Sequence, residues 1–495
     1  MQWKVEQVAR ALGLAAPSGL SSVARLAGVS IDSRAVRPGE LFIAIRGPRF
    51  DGHAFVAQAL AAGALAAVVQ RAPYTDFSDE LRSRLLPVDD TLAALHELAR
   101  AVLREWHAAS SSRRVVAITG SAGKTTVKEI LATLLGSRMR VLKTEGNLNN
   151  EYGLPLTLLR LEDSDDAIVV ELGMSRRGEL ARLAALAEPE VGVVTCVAPV
   201  HLEFFSSVDE IALAKRELID GLAGPAPVAV LNADDSRVAR FADGFRGRTL
   251  TYGISASADF RAENLEVRGM EGSSWDCVSP AGRLRLSSAL PGRHNIYNAL
   301  AAVAAASQWG FSPAEAAPVL RAIRPSSMRG ELIYFAPGFS VVNDVYNSNP
   351  AALSLAAETL AATPGYRRRL IAAGVMRELG SSSVQLHRQC GQEIARTGNV
   401  DWIFAVGGDS AEILAGAIAA GFPAQQTRFY ASSAEAAEFL TGFLESGDLL
   451  LVKGSRSVRM ETIVEALLAA YPQSKPEDSV AGGDASSLPV RRDVS

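Results

Sequence analysis

An α/β chain of several domains, built on doubly wound and mostly parallel sheets, is what the sequence predicts. Three observations carry that reading. From Val115 onward, short apolar runs alternate with helical segments. A Gly-rich turn joins the first of these runs to a helix, and a second series of strand and helix patterns begins near Arg324. Brief apolar runs separated by helices indicate parallel strands buried on both faces. At 495 residues the chain also exceeds what one ordinary core accommodates, so two to four domains are expected.

The elements follow in order. "ELFIAI" (40–45) and "LAAVV" (65–69) read as strands, and "HAFVAQALAAG" between them has helical periodicity with a Gly stop. They belong to a first unit, residues 1–108. The Ser-rich "WHAASSSRR" (106–114) reads as a linker. The second unit, 109–323, carries the strands "VVAIT", "DAIVVEL", "VGVVTCV" and "PVAVLN". "FRAENLEVRG" and "SWDCVSPAGRLRLSSAL" then alternate in the manner of appended antiparallel strands, and "HNIYNALAAVAAASQWG" is a helix closed by Gly310. In the third unit, 324–472, "FSVVNDVY", "RRLIAAG", "DWIFAVGG" and "DLLLVKG" give a second doubly wound, Rossmann-like sheet. The polar tail 473–495 reads as disordered.

Composition narrows the function. Charged residues make up 21% and the net charge is −4, which offers no electrostatic reason for a nucleic-acid partner. Cys196, Cys277 and Cys390 lie far apart without C-x-x-C spacing, arguing against a disulfide framework and a zinc site. The N-terminus lacks a basic patch followed by an apolar run, and no window is apolar enough for a membrane span. A cytoplasmic monomer is expected.

The chemistry starts at "TGSAGKTT" (119–126). Gly120, Ser121, Ala122 and Gly123 form a P-loop-type turn whose glycines let the backbone approach phosphate oxygens, and the N–H groups of the following helix point at them. Lys124 supplies positive charge to the β- and γ-phosphates, Thr125 a hydroxyl to Mg²⁺, and Thr126 extends the motif. The loop is G-x-x-G-K-T; a full Walker A has Gly where Ile118 stands.

Other candidates are weaker taken singly. Glu171 ends an apolar strand, where open α/β sheets place ligand groups, and could complete Mg²⁺ coordination or simply be solvated. His201 follows another strand end; alone it reads more readily as structural than as a metal ligand, since hard cations prefer oxygen. Lys215 lies inside a helix and alone reads as an exposed charge. Asn295 and Asn298 stand one helical turn apart, able to meet an adenine edge, while Asp344, Asn347 and Asn349 follow a strand of the third unit. Capping and turn chemistry is the competing account of both clusters.

Taken together, "TGSAGKTT", "TEGNLNNEYGLPLTLL", "ELGMSRRGEL", "HLEFF…AKRE", "LNADD", "RHNIYNALAA", "DVYNSNP" and "LVKGSRSVRME" occur in the order seen in the Mur ligases, which the chain resembles from about residue 30 to 465. The resemblance implies an ATP-dependent amide ligase of peptidoglycan precursor synthesis with three domains, binding a UDP-sugar, ATP and the incoming amine. The "IDSRAVRPGELF" segment is similar to the UDP-sugar domain of the third and fourth ligases. No D-N-P-R motif for a diamino acid is present, while "GNLNNEYGLP" and "AGVMRELGSSSVQLH" resemble the ligase that joins D-Ala-D-Ala to UDP-MurNAc-tripeptide. Alternatives are a sister ligase adding a diamino acid, a folylpolyglutamate synthase-like enzyme, or an inactive nucleotide-binding regulator of the same fold.

By the same resemblance, Lys215 becomes a carbamate that ligates a second Mg²⁺, with His201, Glu171 and Thr125 near the metal cluster. Lys124, His201 and Lys215 are then the catalytic set. Asn295 and Asn298 resemble adenine-side residues, and Arg329 and Asp344, with Asn347, the phosphate and ribose contacts. Ser33 and Arg34 resemble uridine-diphosphate contacts. Asn147, Asn149 and Asn150 are assigned to substrate, as are Lys453 and Ser455 near the reaction centre. Val375 and Asn343 stand where the family usually has acidic residues.

Overall fold

The computed structural model describes residues 3–47 and 50–475. Most of the predicted tail, 476–495, lies outside the described residues.

Three sheets organise the chain. The N-terminal sheet is parallel throughout, in the order β1 (Gly28–Ser30), β2 (Glu40–Ile43), β3 (Ala66–Gln70), β4 (Leu85–Val88). The helix predicted between β2 and β3 is Val56–Ala61, preceded by a 3₁₀ turn.

The central sheet contains β5 (Arg114–Thr119), β6 (Val141–Lys143), β7 (Ala167–Glu171), β8 (Val191–Val194), β9 (Val228–Asn232), β10 (Arg248–Gly253), β11 (Phe260–Val267), β12 (Ser273–Ser279) and β13 (Gly282–Ser288). Its order is β13-β12-β11-β10-β9-β8-β5-β7-β6. The strands from β6 to β11 pair in parallel; β11, β12 and β13 form the antiparallel appendage expected from their alternation. Because successive side chains leave opposite faces of a strand, Val115 and Ala117 enter one core while Val116 and Ile118 enter the other. The first core is shared with the N-terminal domain. The second is covered by the helices Lys124–Leu135 and His294–Ala306, the latter buried along nearly its whole length.

The third sheet has the order β14 (Glu331–Tyr334), β15 (Ser340–Asp344), β19 (Asp448–Lys453), β16 (Arg368–Gly374), β17 (Trp402–Val406), β18 (Thr427–Tyr430). Only β14 runs antiparallel.

The strands β1, β4, β6, β10, β14 and β18 were not anticipated from the sequence. β6 has three residues, β10 alternates along most of its length, and β18 exposes Arg428 and Phe429 in succession, so none shows a continuous apolar run. The linker reading of 106–114 is corrected. Helix Thr91–Ala109 runs into it, with Trp106 buried and its Nε1 donating to Asp165 O at 2.8 Å. Among the described residues no helix is long and apolar enough to cross a membrane.

Candidate active site

Strand β5 sits where the connections of the central sheet diverge, with β8 on one side and β7 on the other, so its C-terminal edge is an open crevice. The turn after β5 needs its glycines. Gly120 has φ +148° and Gly123 φ +84°. A Cβ at Gly120 would lie 1.8 Å from Thr195 Oγ1, and one at Gly123 2.3 Å from Asn298 Oδ1. The loop is tied to the chain leaving β8: Thr195 Oγ1 donates to Ala122 O at 2.5 Å, and Ser121 N to Cys196 O at 2.9 Å. Ser121 Oγ donates to Ala198 O and accepts from Ala198 N, at 3.2 and 2.9 Å. Lys124 Nζ folds back on Gly120 O at 2.9 Å. A rigid cradle thus opens on the N-terminus of helix Lys124–Leu135, suited to phosphate.

Next to it, Thr125 Oγ1 donates to Glu171 Oε2 at 2.7 Å, and Asn149 Nδ2 to Glu171 Oε1 at 2.9 Å. Glu171 is 4% exposed, which removes its reading as a solvated strand end. A buried hydroxyl and carboxylate in contact are the hard oxygen donors that Mg²⁺ takes. No group of three His, Cys, Asp or Glu suited to a metal occurs among the described residues. Phosphate oxygens and water would therefore complete such a shell, and the residues fit a nucleotide-borne Mg²⁺. Asn147 O accepts from Asn149 N at 2.7 Å, fixing the turn. Asn150 Oδ1 receives the backbone N–H groups of Tyr152 and Gly153 at 3.1 and 2.9 Å, which closes the turn.

Lys215 corrects its sequence-only reading as an exposed charge. It is buried on helix Val208–Asp220, and burial, reinforced by the neighbouring Lys124 ammonium, pulls its amine down to about 7. His201 adopts φ +56° and its Nδ1 pairs with the Glu378 carboxylate of the C-terminal domain.

The opposite wall begins at helix His294–Ala306. Asn298 Nδ2 donates to Asn295 Oδ1 at 2.8 Å, and Asn295 Nδ2 to Pro291 O at 2.7 Å. Asn295 also lines a cavity with Thr126, Glu129, Arg324 and Arg329, and the Arg329 guanidinium lies 3.8 Å from the Tyr346 ring centroid. At the C-terminal ends of β15 and β19, Lys453 Nζ donates to Asp344 Oδ2 at 2.7 Å and to Asn347 O at 3.0 Å. Ser455 Oγ accepts from Arg377 N at 2.9 Å. Asn343 Nδ2 reaches Glu331 at 3.3 Å, and its buried Oδ1 has no partner. Val375 is buried.

In the N-terminal domain, Arg34 Nε and Nη2 grip Asp32 at 2.9 and 2.7 Å, lowering its carboxyl to about 2. Ser33 stands between them on the loop after β1.

Sequence reasoning passed over His294, Lys128 and Glu378. His294 is half-buried, with its Nδ1 buried and unpartnered, and it feels both Asp344 and Lys453 across the domain boundary. Its position next to Asn295 was the available signal. Lys128 is buried and donates to Thr144 O at 2.7 Å, while Thr144 Oγ1 accepts from Glu171 N at 3.0 Å, bracing that strand end.

Known proteins resemble the chain along its length. The family descriptions "Mur ligase family, catalytic domain", "Mur ligase middle domain" and "Mur ligase, glutamate ligase domain" match residues 25–102, 118–306 and 328–456. The UDP-N-acetylmuramoyl-tripeptide–D-alanyl-D-alanine ligase of Escherichia coli is 37% identical over 448 residues, covering 89% of this chain and 94% of that protein. The Bacillus subtilis ligase of the same name is 34% identical over 441 residues, covering 89% and 93%. A crystal structure of MurF from Acinetobacter baumannii superposes with a TM-score of 0.83 at 29% identity, covering 95% of this chain and 99% of that one. MurF ligase from Thermotoga maritima in complex with ADP gives 0.76 at 28% identity, covering 90% and 97%. With its three sheets, its Gly-rich phosphate loop and relatives matching nearly end to end, the chain belongs to the Mur ligase family.

Proposed function

We propose that this chain joins D-Ala-D-Ala to UDP-MurNAc-tripeptide at the cost of ATP, through an acyl phosphate, in peptidoglycan precursor synthesis. The observation that carries the reading is the meeting of a phosphate cradle, the Thr125–Glu171 oxygen pair and the buried Lys215 at one sheet edge.

The chemistry follows from the substrates. A carboxylate at neutral pH is anionic and has no leaving group. Its oxygen attacks the γ-phosphorus, ADP departs, and the resulting acyl phosphate carries phosphate as leaving group. The amine of D-Ala-D-Ala adds to the carbonyl carbon, loses a proton, and phosphate leaves with one of the original acid oxygens. Catalysis is then mainly positioning and charge stabilisation. Lys124 and the helix N-terminus hold the phosphates; Asn295 and Asn298 border the adenine, and Arg329, Asp344 and Asn347 the phosphates and ribose; Lys453 and Ser455 bring the C-terminal domain's groups to the reaction centre. Asn149 orients Glu171, with Asn147 and Asn150 shaping its loop, and Ser33 and Arg34 serve the uridine diphosphate. Mg²⁺, two ions by family analogy, would be held by Thr125 and Glu171, with His201 and Lys215 nearby, and would neutralise charge on the phosphate oxygens. A lysine whose amine is pulled to about 7 has a substantial neutral fraction at physiological pH, the form that reacts with CO₂. Carbamylation of Lys215 would replace a buried cation by oxygen donors. We further propose that the enzyme acts in the cytoplasm as a monomer.

The test is phosphate release from ATP with UDP-MurNAc-tripeptide, varying the acceptor, with ¹⁸O in the tripeptide's terminal acid. Release dependent on D-Ala-D-Ala, with label passing into phosphate, is the expected result. Release only with a diamino acid and the dipeptide precursor would assign the chain to a sister ligase. No release with any acceptor would leave a nucleotide-binding regulator.

A further inference from the structure

Glu378 lies on the loop after β16, in the C-terminal domain, yet its carboxylate pairs with His201 of the central domain. The loop is braced from behind. Met376 N donates to His387 Nε2 at 2.9 Å, Arg377 N to Ser455 Oγ at 2.9 Å, and Val375 N to Val406 O at 3.0 Å. His387 is itself fully buried, with Nδ1 against Ser383 O at 2.7 Å. Across the gap Glu203 N donates to Glu378 O at 3.1 Å. Gly380 approaches so closely that a Cβ would stand 3.2 Å from Glu203 Cα and from Leu202 O. His201 and Glu378 both hold left-handed backbone, with φ +56° and +63°, a conformation that non-glycine residues keep only where their surroundings fix it. Two strained residues from different domains therefore meet side chain to side chain, with a backbone hydrogen bond beside them.

We propose that Glu378 is a positioning residue that reports domain closure to His201. When the C-terminal domain docks, the carboxylate accepts the Nδ1–H of His201, selecting the tautomer whose Nε2 lone pair is free to face the reaction centre. When the domain swings away, the imidazole loses its orienting partner. A carboxylate fixing one ring nitrogen so that the other can act is a general device, and its removal typically costs about 10–100-fold in activity or affinity. In this chain the two halves of the device sit on separate domains, so the imidazole is oriented only in the closed arrangement.

This rests on the reading of His201 as an active-site residue, and the experiment separates the two. Glu378→Ala and Glu378→Asp are compared with His201→Ala in the full-length chain, measuring kcat and KM for ATP and for D-Ala-D-Ala. The ¹⁵N ring shifts of His201 are followed with and without ATP and the UDP-linked substrate. The chain has six histidines, so His201→Ala assigns the signal. Expected are a kcat lower by about 10–100-fold in Glu378→Ala, a KM for ATP within about twofold, partial rescue in Glu378→Asp, and a substrate-induced shift to a single tautomer that Glu378→Ala lacks. Full activity in His201→Ala would overturn the active-site reading. An inactive His201→Ala beside a Glu378→Ala with unchanged kcat and tautomer response would overturn the role of Glu378 alone. A loss confined to melting temperature or to KM for D-Ala-D-Ala would make Glu378 merely structural and also overturn it.

Discussion

Two buried lysines, one on each side of the cleft, have been given opposite chemistry. Lys453 at the end of β19 is held by the Asp344 carboxylate and by Asn347 O, so its charge is compensated within its own domain. Lys215 in the central domain has burial and the Lys124 ammonium working against its charge. Residue type and burial are shared; the neighbours differ. A lysine paired with a carboxylate has its charge balanced locally, whereas one buried beside another ammonium is pushed toward its neutral, nucleophilic form.

That contrast can be broken most severely at Lys215. Lys215→Ala is expected to lower kcat by on the order of 10²–10³-fold, the scale for losing one charge-stabilising group. A ¹³C-bicarbonate carbamate signal present in the parent chain should vanish in the variant. Because the amine titrates near 7 rather than the ordinary 10.5, its neutral fraction falls as pH drops below 7, and activity should fall with it in CO₂-depleted buffer. Retained activity in Lys215→Ala, unresponsive to bicarbonate in a weakened variant, would remove its special role.

The Lys453 side is sharpened by Asp344→Asn, which strands a buried ammonium. A cost of roughly 3 kcal/mol in denaturant unfolding is expected, at the lower end for a broken buried pair because the Asp344 side chain is 20% exposed. Adding Lys453→Met should restore most of the stability and none of the activity. If the single variant were as stable as the parent, the pair would not be compensating charge.

Gly123→Ala tests the phosphate cradle itself. Its positive φ and the collision with Asn298 should cost roughly 1–3 kcal/mol and weaken ADP binding, readable by calorimetry.

The smallest effect is expected at His294, which lies between the two edges. Burial takes its imidazole from the ordinary 6.5 down to about 4. Between those values the unfolded chain binds a proton that the folded chain refuses, so this contribution is whole above about pH 6.5 and is lost as pH falls toward 4. A loss on the order of 1 kcal/mol by about pH 5.5 follows. His294→Asn should flatten that part of the stability profile; an unaltered profile would place the titration elsewhere.

Legibility in the sequence followed the range of the interactions. β5, β7, β8, β9, β15, β16, β17 and β19 are runs buried on both faces, so composition alone reveals them. β10 and β18 are strands because neighbours pair with them, which their half-exposed sequences do not announce. In the site, the Gly-rich loop was readable because glycine spacing and an adjacent Lys-Thr encode a local geometry. The buried state of Lys215 was not, because its helix position looks like any surface charge until Lys124 and Cys196 are folded against it. Glu378 was invisible for a stronger reason: its partner is 177 residues away on another domain.

By itself the amino-acid order determined the α/β class, the three units, the phosphate-loop turn and the family, since each rests on contacts within a few tens of residues or on ordered motifs. Only the tertiary structure decided that Lys215 is buried beside Lys124, that Thr125 Oγ1 donates directly to Glu171, and that Glu378 grips His201. Those outcomes depend on dielectric surroundings and on charges brought together from distant strands, and no local pattern carries that information.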